Sequence, residues 1–126
     1  MTPELNHPDL LRTQAFINGK WCPAGDGATL AVTNPATGDV VAEVAKVGER
    51  ETEQAITAAE TAMVSWRHTP AKQRAQILRR WFDLMMEHQE DLARIMTAEQ
   101  GKTLAESRGE VAYGAAFIEW FGEQAK

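Results

Sequence analysis

The chain has 126 residues, 44% of them hydrophobic and 25% charged, a balance that excludes a disordered or fibrous chain and suits one globular core. With 13 basic against 18 acidic residues the formal net charge is −5, which argues against a nucleic-acid partner and against an anionic membrane surface. Cys22 is the single cysteine, so no internal disulfide can form and a reducing, cytoplasmic setting is the expectation. No stretch approaches the roughly 18 apolar residues of a membrane span, and the polar start lacks the apolar run of a signal peptide.

In chain order, residues 1–13 read as a polar arm with a short helical turn after Pro8, Asp9 sitting in its favourable first turn. The order of this arm depends on docking. The run Phe16-Ile17-Asn18-Gly19-Lys20-Trp21 predicts a tight hairpin, because Asn-Gly accepts the positive φ of a type I′ turn between two apolar pairs. After a flexible connector around Gly25, Asp26 and Gly27, a second hairpin is expected. Its strands are Leu30 to Thr33 and Val40 to Val47, joined by a turn from Asn34 to Asp39.

Gly48 ends the strands. From Arg50 to Trp66, Ala55, Ile56, Ala59, Ala62 and Met63 recur at helical spacing, and their small size predicts close packing. Thr69-Pro70 has the form of an N-cap followed by proline at the first helical position, opening one long helix to about Gln100. Leu78, Met85 and Leu92 repeat every seven residues, as do Trp81, His88 and Ile95, so one broad face is expected to be apolar. Gly101 is a natural C-terminal cap, and Thr103 with Glu106 forms a capping box for a last helix. The expected fold class is therefore α+β, with β-hairpins followed by three helices.

The last helix is unusual because it is apolar on two opposite sides. At about 100° per residue, Leu104, Val111, Ala115, Ile118, Gly122 and Ala125 fall on one line, and Tyr113, Phe117 and Trp120 cluster on the other. One line is the core contact. Three aromatics left in water would be costly, so they imply a further surface to meet.

Motifs for chemistry are sparse. Gly101-Lys102-Thr103 copies the end of a phosphate-binding loop, but Met96 stands where the earlier glycine belongs and the preceding segment is helical. Gly25 and Gly27 begin a dinucleotide fingerprint whose third glycine is replaced by Leu30. His7, His68 and His88 lack ligand spacing for a metal, and His88 reads as a satisfied histidine at the core edge. Cys22 has neither a base nor a helix start beside it, so a structural thiol is the expectation. No catalytic, cofactor-binding or metal-binding residue is assigned.

Taken together, AFINGKW, TNPATGDVVAEV, the Trp66-Arg67 pair, KQRAQILRRWFDLMMEHQEDLARIMTAEQGKTLAESRGEV and FIEWFGEQAK resemble the N-terminal part of aldehyde dehydrogenases. Within that family the likeness is greatest to NAD(P)-dependent succinate-semialdehyde dehydrogenases, and it covers about Leu10 to Lys126. The resemblance implies that residues 1–126 are the N-terminal portion of an α/β cofactor-binding domain in a homo-oligomeric enzyme using NAD or NADP. It also implies oxidation of a small aldehyde, through a cysteine thiolate, a nicotinamide hydride acceptor and a glutamate base. Those groups, and the nucleotide-binding segments, would all lie beyond Lys126, and Cys22 does not match the nucleophile's motif. The last helix would pass near the aldehyde entry channel, with Tyr113 and Phe117 closest to it. This piece alone is then expected to be inactive. The other readings are an interaction protein that binds a partner through the helix 103–126, and a small enzyme using Cys22.

Overall fold

The computed structural model describes residues 2–126. After a single 3-10 turn at Pro8–Leu10, where the sequence predicts a short helical turn, strands come before the α-helices as expected, and the α+β class holds. The strands are β1 (Ala15–Ile17), β2 (Lys20–Cys22), β3 (Thr29–Thr33) and β4 (Val40–Ala45). They form two separate antiparallel hairpins, β1–β2 and β3–β4. Asn18 at φ 51° and Gly19 at φ 76° make the two-residue turn of the first hairpin, and Ile17 pairs with Lys20 across it. In the second, the Asn34 carbonyl accepts the Gly38 N–H at 2.8 Å, and the ladder carries an irregularity at Val32–Thr33. The return strand stops at Ala45, two residues short of the expected Val47.

Helices α1 (Glu49–Trp66), α2 (Ala71–Glu87), α3 (Gln89–Gln100) and α4 (Leu104–Gln124) follow, so there are four α-helices rather than three among the described residues. The long helix expected up to Gln100 breaks at His88, where φ −103° and ψ 17° end α2 and open α3. This break gives Glu90 and Asp91 a helix N-terminus of their own, where carboxylates are favourable. The seven-residue line through Leu78, Met85 and Leu92 is therefore split between two helices. Trp81, expected on the apolar face, is 53% exposed. Pro70, not Thr69, is the N-cap of α2, and its carbonyl accepts the Gln73 and Arg74 N–H groups. A proline there has no N–H of its own to leave unsatisfied.

Packing is concentrated where α4 lies on α2 and α3. The buried apolar side chains are small, namely Ala24, Val41, Ala75, Ala93, Val111 and Ala115, so the helix axes approach closely. Of the α4 glycines, Gly122 makes the tightest approach, against Leu78 and the Ala75 carbonyl. Between α3 and α4 the buried Ser107 hydroxyl bonds the Thr97 hydroxyl at 2.8 Å, each satisfying the other.

Helix α1 behaves differently. No residue of it is buried, Ile56 and Met63 are exposed, and its main neighbour is β1, so the expected close packing of its alanine-rich face does not occur among the described residues. Small side chains permit close approach without demanding it. A groove stays open between this helix and the first hairpin, lined in part by Ile17, Lys20, Cys22, Arg50 and Thr57.

Candidate functional site

Helix α4 builds the most distinctive surface of the molecule. At its start the Thr103 hydroxyl accepts the Glu106 N–H at 3.2 Å, and the Glu106 carboxylate accepts the Thr103 N–H at 3.1 Å. Hydrogen bonds from the Thr103 side chain and then its backbone hold the Glu106 carboxyl below the usual carboxylate range. Before it, Gly101 closes α3 in the left-handed region at φ 78°. These caps set where α4 begins.

Its rotation is set by packing and ion pairs. Ser107, Val111, Ala115 and Gly122 face inward. Arg108 reaches Glu90 of α3 through two bonds of 2.7 and 3.0 Å, and Gln89 Nε2 donates to the Arg108 carbonyl. On the other flank Arg79 of α2 pairs with Glu119 at 3.3 Å, while Lys102 pairs with Glu110. With the inward line held this way, the opposite line must face out.

That outward line carries the aromatics. Tyr113 is 68% exposed, Phe117 48%, Trp120 61% and Phe121 60%. The Tyr113 and Phe117 rings meet edge to face, with centroids 4.9 Å apart and planes at 89°. Tyr113, Ala116, Phe117, Trp120 and Phe121 line a shallow recess of about 350 Å³. The structure thus gathers the two sequence-predicted residues, Tyr113 and Phe117, on one surface. Phe121 was missed by the sequence reading, although it stands one turn beyond Phe117 and the spacing could have found it. Apart from the Tyr113 hydroxyl and the Trp120 indole N–H, the side chains lining the recess offer apolar contact rather than acid–base chemistry. The nearby Glu119 and Glu123 are occupied by Arg79 and Lys126.

The remaining residues singled out by sequence lie elsewhere. Cys22 Sγ donates to the Ala15 carbonyl at 3.4 Å across the first hairpin and lines the α1 groove, not the aromatic recess. His88 was expected to be satisfied, yet its buried Nδ1 has no hydrogen-bond partner among the described residues. Its ring instead meets the edge of His7, with centroids 4.6 Å apart. Two like heterocycles brought together across the fold cannot be foreseen from their positions in the chain. Among the described residues no three His, Cys, Asp or Glu side chains gather as a metal-ligating group, and no helix is long and apolar enough to cross a membrane.

Nor do the described residues fit a dinucleotide cradle, which needs free N–H groups at a glycine-rich helix start. In the Gly25 loop the Gly25 and Gly48 N–H groups are taken by Glu51, at 2.9 Å each. Glu106 occupies the start of α4 in the same way. A carboxylate at either place repels a pyrophosphate.

The order of hairpins and helices is the α+β arrangement seen in solved enzymes of the aldehyde dehydrogenase fold. Residues 21–126 match the aldehyde dehydrogenase family, and the chain belongs to that family. It is 57% identical over 123 residues to a glutarate-semialdehyde dehydrogenase of Pseudomonas putida, covering 98% of this chain and 26% of that protein. Identity and coverage are the same against the NADP+ succinate-semialdehyde dehydrogenase of Escherichia coli, at 57%, 98% and 26%. Among solved structures, an Escherichia coli NADP-dependent enzyme superposes with a TM-score of 0.94 at 57% identity, over 95% of this chain and 25% of that one. The chain spans about a quarter of the length of the curated relatives it matches.

Proposed function

We propose that residues 1–126 form the N-terminal part of an NAD(P)-dependent semialdehyde dehydrogenase, and that the complete protein oxidises succinate semialdehyde to succinate. The carrying observation is 57% identity across 98% of the chain to enzymes named for oxidising short semialdehydes. Within this reading Tyr113 and Phe117 of α4 stand beside the aldehyde's path and supply an apolar wall. The cysteine, the base and the nucleotide cradle belong to other parts of the protein. The reading also includes a homo-oligomeric, cytoplasmic enzyme. NADP is favoured over NAD by the Escherichia coli relative alone.

The test is a comparison of kcat/KM for the complete protein with succinate semialdehyde, glutarate semialdehyde and a neutral aldehyde of similar length. The highest value is expected for succinate semialdehyde. A preference for glutarate semialdehyde would overturn the choice of substrate, and a preference for the neutral aldehyde would overturn the semialdehyde reading. The 126-residue chain alone is expected to form no NADH or NADPH from these substrates, and steady formation by the pure chain would overturn the division of labour. Replacement Cys22→Ser in the complete protein is expected to leave kcat within about twofold.

A further inference from the structure

We propose that residues 2–13 act as a strap, latched by the Asp91 carboxylate, that holds the β3–β4 hairpin against α3. The inference does not depend on the proposed function. Asp91 is 2% exposed, and its two oxygens face donors from the strap. Oδ1 accepts the Asn6 N–H at 3.0 Å and the Asn6 side-chain amide at 3.2 Å, while Oδ2 accepts the His7 N–H at 2.8 Å. One turn further along α3, Arg94 donates to the Glu4 carbonyl at 2.9 Å. The middle of the strap is therefore fastened to the first turns of one helix.

Both ends of the strap are fastened to the return strand of the hairpin. The Thr2 hydroxyl donates to the Val41 carbonyl at 3.2 Å, and the Ala45 N–H donates to the Thr13 carbonyl at 2.7 Å. A segment bonded at its centre to α3 and at its two ends to β4 couples the two. The hairpin also touches the helices directly, where Pro35 lies against Gly101. Strap and Pro35 are thus two separate attachments that can be separated by experiment.

A carboxylate suits the latch because every group it meets here is a donor. The titratable groups acting on it are His7 on the strap and Arg94 on the same helix, and the His7 ring packs in turn on that of His88 at the α2–α3 junction. Glu90 is engaged by Arg94 and Arg108, so it does not compete for the strap. The Asn6 N–H, against the opposing effect of burial, and then the His7 N–H hold the Asp91 carboxyl below its ordinary range. The latch is therefore closed at neutral pH. An amide in its place would turn an N–H toward an N–H.

Amide hydrogen exchange of the 126-residue chain and of its Asp91→Asn variant tests the latch. Faster exchange by about tenfold or more is expected at Asn6, His7 and Ala45 together, with Ala115 in α4 unchanged. If Asn6 and His7 quicken while Ala45 does not, the strap does not couple the hairpin, and the proposal fails. No change at Asn6 and His7 would equally overturn it. Should Asp91→Asn lose its fold as a whole, deletion of residues 2–7 decides from the other side. Quickened exchange along β4 with α4 intact supports the strap, and unchanged β4 protection refutes it.

Discussion

Gly122 of α4 and Leu78 of α2 meet so closely that a methyl group added to Gly122 would lie 3.3 Å from the Leu78 Cβ and 3.7 Å from the Ala75 carbonyl. Both neighbours are fixed by the backbone of α2, so neither can swing away. This contact brings α4 down onto α2, and with it sets how far the aromatic face stands off the helical layer. Replacing Gly122 by valine is expected to destabilise the chain by about 1–3 kcal/mol, as overpacking of a close contact does. Urea unfolding measures it. An unchanged midpoint would mean that the two helices have room to separate.

A second close approach joins the helices to the second hairpin. A Cβ on Gly101 would lie 2.7 Å from Pro35 Cγ, and Gly101 also holds φ 78°. Gly101→Ala therefore meets two costs, about 1 kcal/mol for the left-handed backbone and a further steric one. Pro35→Ala in the same chain is expected to recover the steric share and leave the backbone share. The coupling read from the four proteins of the cycle is the measurement, and strict additivity would show that Pro35 moves freely aside.

Glu51 ties the Gly25 loop to the start of α1. The Gly48 N–H and then the Gly25 N–H hold its carboxyl below the usual 4.5. A lowered folded value means that the stabilisation is fully present above pH 4.5 and is lost as pH falls through the folded value beneath it. Glu51→Gln should therefore lower the Tm at neutral pH, with the difference from the unsubstituted chain fading only in the acid range below 4.5. A difference that stays constant from neutral to strongly acidic pH would show that charge on Glu51 plays no part.

Phe117 separates the two roles open to the aromatic face. At 48% exposure its ring is not a core residue of this chain, so Phe117→Ala should cost well below the about 3–5 kcal/mol of a buried phenylalanine. If the ring lines the aldehyde's path in the complete protein, KM should rise by a factor equivalent to about 1–3 kcal/mol while kcat changes little. Loss of stability with unchanged kinetics would remove it from that path. In the 126-residue chain the same surface should bind a hydrophobic dye, and a chain that binds none would contradict an accessible apolar recess.

Local chemistry was legible in the sequence wherever one short stretch carried the whole instruction. Asn18-Gly19 specifies its turn because positive φ is needed at both positions, and Gly101, Thr103 and Glu106 specify a helix end and the next start within six residues. The aromatic stripe of α4 follows from helical periodicity alone. What only the tertiary structure decided depends on groups far apart in the chain. The service of Asp91 to Asn6 and His7 arises from an encounter across 85 and 84 positions, for which no local pattern exists. The openness of α1 was equally hidden, since periodicity marks a face that can be buried but not what comes to bury it. Helix α4 joins both cases: its two faces were written in its own spacing, and the choice of which one turned inward was made by Leu78, Thr97 and Glu90 on the helices it meets.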